Sequence, residues 1–150
     1  MFQKQLSMKS CLVLFVMLCV GFTVQAQYNK DVLIETVIKT DTTSIGQKIK
    51  YPDFLNDEVT ILKVTIPPGK STGWHKHLFP VFAYVLKGTL TVAIENNKTL
   101  KLSEGSSFAE VFNTFHNGSN NEKENVVLIA FYMGEKGKPL SVFKDTTSLP

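Results

Sequence analysis

Residues 69–88 read GKSTGWHKHLFPVFAYVLKG, and this stretch decides the fold. Side chains alternate between the two faces of a strand, so His75 and His77 point the same way. After the Leu-Phe-Pro break, the same face continues with Val81, Ala83 and Val85, and the opposite face carries Phe82, Tyr84 and Leu86. Because both faces are apolar, both should be covered, either by N-terminal strands or by a second subunit. We therefore expect a homodimer.

The remaining sequence consists of short β-branched segments separated by turn residues, with no apolar stripe of helical period. Many short strands without intervening helices predict an antiparallel sandwich or barrel. Residues 58–143 would form the barrel, residues 27–57 N-terminal strands and a lead-in, and residues 144–150 a frayed tail. The predicted strands are Val32–Thr40, Glu58–Ile66, Gly73–His77, Val81–Leu86, Leu90–Glu95, Thr99–Leu102, Ser106–Val111 and Val126–Met133.

The N-terminus has the features of a secretory signal peptide. Residues 11–20, CLVLFVMLCV, are uncharged and follow Lys4 and Lys9, and the small Ala26 suits a cleavage site. The apolar run is too short to span a membrane comfortably, which takes about 20 residues. We therefore expect cleavage after Ala26 and a secreted or periplasmic protein without a stable membrane anchor. A retained N-terminal anchor is the alternative interpretation.

The composition of the chain argues against a disordered protein and against a nucleic-acid-binding protein. A chain of 150 residues, 43% of them hydrophobic, can form one domain with a packed core, which excludes an intrinsically disordered protein. Both cysteines lie in the segment 1–26, so the exported domain would rest on packing without disulfides. The sequence has no arginine, and without the segment 1–26 it is close to neutral. Nucleic acid is therefore not an expected partner.

The three histidines of the chain are candidates for one metal site. His75 and His77 lie at strand positions i and i+2, about 6.6 Å apart, so both imidazoles can reach one ion. His116, from a neighbouring strand, would complete a triad that leaves coordination positions for water or substrate. The alternative is that these are ordinary buried or surface histidines, but their spacing favours ligands.

Around these histidines the sequence resembles the cupin superfamily. The first cupin motif, G-x5-H-x-H-x3/4-E-x6-G, is similar to residues 69–88, in which Val81 stands at the glutamate position. The second, G-x5-P-x-G-x2-H-x3-N, is similar to residues 105–120, GSSFAEVFNTFHNGSN. There Val111 and Asn113 replace the proline and the second glycine. The resemblance is to small single-domain cupins with the type-2 conserved barrel, and it implies an all-β double-stranded β-helix, or jelly roll.

The resemblance also implies the site. His75, His77 and His116 would be the histidine ligands of one divalent transition metal, which could be Fe, Mn, Ni, Cu or Zn. In the family the fourth ligand is the motif glutamate, and the valine side chain at position 81 cannot bind a metal. The ion would then keep its full charge and favour an anionic ligand. Glu110 lies in an otherwise apolar strand and should have a partner there. It is either a substitute ligand or general base beside the metal, or a solvent-facing residue at the barrel rim.

For function, the resemblance implies a metal-dependent enzyme acting on a small anionic or enolisable organic molecule, with dioxygenase-like chemistry first. Isomerase or decarboxylase chemistry at the same metal site is the second possibility. A different class of function, a binding protein that holds a sugar or carboxylic acid without catalysis, also fits the loss of the motif glutamate. A degenerate barrel without metal is disfavoured, because all three histidines are in register with the motifs.

Overall fold

The computed structural model describes residues 31–96 and 98–145, and the chain divides into two units, residues 1–35 and 36–150. Of the first unit, residues 31–35 are described, and they form no regular element. The second unit carries the β-strands. No helix long and apolar enough to cross a membrane occurs in the described ranges. The predicted signal peptide and the last five residues lie outside the described part.

Nine strands in the described residues form two antiparallel sheets, which confirms the all-β jelly-roll prediction. A four-stranded sheet has the order β1-β8-β3-β6, and a five-stranded sheet the order β5-β4-β7-β2-β9. The strands are β1 Asp57–Ile66, β2 His75–Lys76, β3 Val81–Lys87, β4 Thr89–Ile94, β5 Lys98–Ser103, β6 Ser107–Ala109, β7 His116–Ser119, β8 Val126–Glu135 and β9 Val142–Phe143.

The core lies between the sheets and follows the period of two. On β3, the predicted inward residues are almost fully buried: Val81 is 2%, Ala83 4% and Val85 0% exposed. Leucines, valines and isoleucines of β4 and β8 pack against them, and each such buried side chain contributes about 1.5–3 kcal/mol. On the outer face of β3, Leu86 is 44% exposed. The homodimer expected to cover this outer face stays a prediction.

Two parts of the strand prediction were wrong. Residues 32–40 form no strand, although their sequence is rich in β-branched residues. A strand needs hydrogen bonds from a neighbour, and no described strand pairs with this segment. Conversely, the polar β7 and the two-residue β9 were not predicted. They are strands because β2 offers them backbone partners, with His75 lying opposite both His116 and Phe143.

One turn requires its glycine. Gly88, between β3 and β4, has φ +80°, a left-handed conformation that other residues rarely adopt. A Cβ atom there would lie 2.8 Å from the backbone oxygen of Asn125. Glycine therefore allows the tight passage from one sheet to the other.

Candidate metal centre

Four predicted residues meet inside the barrel. His75 opens β2 and lies opposite His116, which opens the neighbouring β7. His77 follows β2, and its backbone bridges to Phe112 in the segment that carries Glu110. One ligand atom from each of His75, His77, Glu110 and His116 lies within 4.8 Å of the others. The strand pairing thus brings together residues that are up to 41 positions apart in the sequence.

Each imidazole is oriented by a backbone carbonyl. The Nδ1–H of His75 donates to Gly73 O at 2.8 Å, that of His77 to Leu140 O at 2.7 Å, and that of His116 to Thr114 O at 3.0 Å. A carbonyl oxygen only accepts, so Nδ1 carries the proton in all three rings. The Nε2 atoms are thereby left as the ligand atoms, an arrangement that metal-binding histidines share.

The Nε2 atoms have few partners of their own. His77 Nε2 is buried and makes no hydrogen bond, although Glu110 Oε2 lies 3.2 Å away. His116 Nε2 donates a hydrogen bond to the same oxygen at 2.9 Å, and a metal bound there would displace this proton. A metal–nitrogen bond is about 2 Å long, so one ion reaches donor atoms about 4 Å apart, and small side-chain rotations would suffice here. The orphaned nitrogen and the convergent donor set fit a divalent transition metal.

The titration of the cluster reflects its charges. Burial alone would raise the pKa of Glu110, but the contacts with His116 and His77 outweigh burial and hold the pKa well below its usual range. Burial acts to lower the pKa of His116, yet the hydrogen bond to Glu110 and its negative charge raise it. Burial lowers the pKa of His75. The carboxylate of Glu110 is therefore ionised, as a metal ligand must be.

Glu110 supplies a carboxylate beside the position where the motif glutamate is missing. The Glu110 N–H donates to Val81 O at 2.9 Å, so the two residues are neighbours across β3 and the end of β6. The Glu110 side chain is 12% exposed and faces the histidines. Of the two sequence-based interpretations, the geometry agrees with the one that places Glu110 beside the metal, and its catalytic role stays a prediction.

Two asparagines shape the segment that carries His116. Asn113 has φ +44°, and asparagine tolerates this left-handed conformation better than most residues, which explains how it replaces the motif glycine. Asn120 is fully buried, its Nδ2 donating to Ile66 O at 2.8 Å and Glu124 O at 2.7 Å. Its Oδ1 accepts from the Glu122 N–H at 3.0 Å. Asn120 therefore holds the loop after β7 and is not a ligand.

A cavity of about 150 Å³ opens beside the cluster. Its polar lining includes Thr72, Ser141, His75, Glu110 and His116. Its wall is otherwise apolar, with Val64, Ile66, Leu90, Val92, Phe108 and Leu128 among the lining residues. The cavity is therefore a small apolar chamber in which the metal ligands provide the charge.

Sequence reasoning missed two contributors to the site. Tyr132 lines the cavity, and its ring packs edge-on against His77 with centroids 5.5 Å apart. Burial, together with the charge of Glu110, raises the pKa of Tyr132 to about 12, so its hydroxyl keeps its proton. The segment around Leu140 and Phe143 orients His77 and lines the cavity. A backbone carbonyl leaves no signal in a sequence, and Tyr132 resembled any other residue of an apolar strand.

An antiparallel jelly roll with a buried histidine–carboxylate cluster defines the class of protein, and the comparisons specify the family. A model of the cupin domain matches residues 62–132, so the chain contains a cupin domain over this range. This range includes all four residues of the cluster and ends before the C-terminal segment that orients His77. No curated protein matches the sequence.

Solved structures share the fold at low sequence identity. A cupin-like protein from Thermotoga maritima is 19% identical with a TM-score of 0.52, over 57% of this chain and 64% of that one. A DMSP lyase from Ruegeria pomeroyi is 15% identical with a TM-score of 0.51, over 57% of this chain and 43% of that one. An oxalate decarboxylase is 18% identical with a TM-score of 0.50, over 57% and 23%. The aligned part spans less than half of the lyase chain, and these likenesses concern the fold.

Proposed function

We propose that this protein is an exported metal-dependent cupin enzyme that acts on a small anionic or enolisable organic molecule, with oxygenase chemistry as its first candidate reaction. One ligand atom from each of His75, His77, His116 and Glu110 converges beside an apolar cavity that three of these residues line, and this convergence carries the proposal. Each imidazole is already oriented by a carbonyl, so little reorganisation is needed to bind an ion.

The chain's own residues would divide the work. His75, His77, His116 and Glu110 would hold the ion, which when bound polarises a coordinated substrate and lowers its pKa. The apolar wall would exclude water around the substrate. Tyr132 keeps its proton and would donate a hydrogen bond into the cavity. If Glu110 stands beside the ion rather than binding it, its carboxylate would instead be the group that accepts a proton.

Metal analysis of full-length protein purified without a histidine tag tests the proposal. We expect close to one equivalent of a divalent transition metal, lost on prolonged chelation and regained on dialysis. Less than about 0.2 equivalents, before and after reloading, would overturn the metal centre. His75→Ala should abolish reloading, and Lys76→Ala, one residue away and outside the ligand set, is the matched control.

Reaction class is a separate question. Oxygen uptake by the metal-loaded protein with diketones, flavonols and thiols tests oxygenase chemistry, in which both atoms of O2 enter the product. Isomerase or decarboxylase chemistry at the same site would instead rearrange the substrate or release CO2 without consuming O2. Ligand binding with no turnover by any route would favour the second class of function, a non-catalytic protein that holds a sugar or carboxylic acid.

The localisation proposal has its own test. A chain that begins at Gln27 in the exported protein, shown by N-terminal sequencing, would support cleavage after Ala26. An uncleaved N-terminus in the membrane fraction would instead support a retained anchor.

A further inference from the structure

We infer that the cavity selects small monoanions with an apolar body and discriminates against dianions. This inference deepens the proposed function and rests on it, because it assumes an ion held by the four-residue cluster. It arises from the charges that line the cavity, not from the chemistry that follows binding.

The net charge of the metal-loaded site follows from its four ligands. Three neutral imidazoles by themselves would leave a divalent ion with two positive charges, since Val81 supplies no charge at the position of the motif glutamate. A carboxylate binds a metal ion in its deprotonated form, so Glu110, whose Oε2 lies 2.9 Å from His116 Nε2 and 3.2 Å from His77 Nε2, would remove one of them as a ligand. The loaded site therefore carries one net positive charge, and one negative charge on a ligand neutralises it.

The described residues that line the cavity supply no other positive charge. The sequence contains no arginine, and among the described residues that line the cavity there is no lysine. Lys144, close to this side of the barrel, is bound to Glu95 at 2.9 Å and lies over the ring of Trp74. A second carboxylate on a ligand would thus be desolvated with no counter-charge, and a buried unpaired charge is costly.

The cavity also limits the size and the polarity of the ligand. A cavity of about 150 Å³ is the size that takes up one benzene molecule in an engineered protein core. Away from the ligands, the wall is formed mainly by aliphatic side chains with Phe108 and Phe143, and its neutral donors include Thr72, Ser141 and Tyr132. A short monocarboxylate or enolate with a hydrocarbon body meets all three conditions. A sugar lacks both the negative charge and the apolar body, and a phosphate monoester carries more than one negative charge.

Binding of four probes to Co²⁺-loaded protein, followed by the visible spectrum of the cobalt and by calorimetry, tests the inference. Butyrate and butyramide have nearly the same shape and differ in charge, and monomethyl succinate is succinate with one of its two carboxylates converted to a neutral methyl ester. We expect butyrate to bind at least about tenfold more tightly than butyramide or succinate, a difference of about 1.4 kcal/mol. Monomethyl succinate should bind more tightly than succinate in spite of its greater size.

A charge added to the wall provides a second measurement. Ser141 lines the cavity and is partly exposed, so a longer side chain can be accommodated at its edge. Ser141→Lys should improve succinate binding at least about fivefold relative to butyrate, by adding a counter-charge at short range. Ser141→Met, of similar length and uncharged, is the matched control and should leave the ratio unchanged.

The outcomes separate the two proposals. If the protein takes up no metal, the proposed function fails. If it binds metal but succinate binds as tightly as butyrate, or monomethyl succinate as weakly as succinate, the charge argument is overturned while the metal centre stands. The inference is supported if monoanions are preferred and the preference shifts with Ser141→Lys and not with Ser141→Met.

Discussion

The proposed metal centre is best tested by removing the carboxylate of Glu110 and then restoring a carboxylate at position 81, on the neighbouring strand. Glu110→Ala removes a carboxylate oxygen that lies 2.9 Å and 3.2 Å from two ligand nitrogens. Outer partners of metal sites change affinity by about 10–100-fold, and a carboxylate this close should cost at least the lower value. We therefore expect a loss of at least about 1.4 kcal/mol in metal-binding free energy.

The structure also predicts how to recover the loss. Val81 is buried and accepts a hydrogen bond from the Glu110 N–H, so a carboxylate at position 81 would start about one strand spacing, about 5 Å, from the original one. The double variant Glu110→Ala/Val81→Glu would restore the cupin motif. Its metal affinity should return to within about tenfold of the original protein, because the charge rather than its strand determines binding.

Competition with a chromophoric chelator measures these affinities on protein shown by circular dichroism to be folded. Glu110→Ala/Val81→Gln is the control, since glutamine has the same shape without the charge and should give no recovery. The reasoning would be refuted if Glu110→Ala bound metal like the original protein. It would also be refuted if the folded Val81→Glu double variant bound no better than its Val81→Gln control.

Three further predictions follow from the same contacts. Because Glu110 raises the pKa of His116, a proton competes with the metal above the ordinary histidine value of 6.5. Metal affinity in a chelator titration should therefore keep rising above pH 6.5 and level off at a higher pH than in Glu110→Gln. A flat profile would contradict this. Asn120→Ala leaves the carbonyls of Ile66 and Glu124 without their side-chain donor. The free energy of unfolding, measured in urea, should fall by about 2–4 kcal/mol. A change under about 0.5 kcal/mol would be inconsistent with the burial of this side chain. Gly88→Ala adds a steric clash to the strain of a positive φ. It should therefore lower the melting temperature more than Gly105→Ala, where φ is also positive but no atom lies within 4 Å of the added Cβ. Equal effects would show that backbone strain alone matters.

The sequence determined the all-β class of the fold and which histidines are candidates for metal ligands. The register of His116 came from the resemblance to the second cupin motif. Alternation placed Val81, Ala83 and Val85 on one face of a strand and put His75 and His77 on the same side. These features depend on local backbone geometry, which repeats every two residues and can therefore be read from the order of residue types. The same periodicity misled at residues 32–40, because pattern does not supply a hydrogen-bonding partner.

The tertiary structure decided the charge of the site. Whether Glu110 faces solvent or the histidines depends on how the end of β6 lies against Val81, and that contact joins residues far apart in the sequence. The orientation of His77 depends on the carbonyl of Leu140, which any residue at that position would provide. Sequence thus specifies which side chains are available, whereas packing decides which charges are desolvated together. In the proposed metal-loaded site, that pairing is the difference between one net positive charge and two.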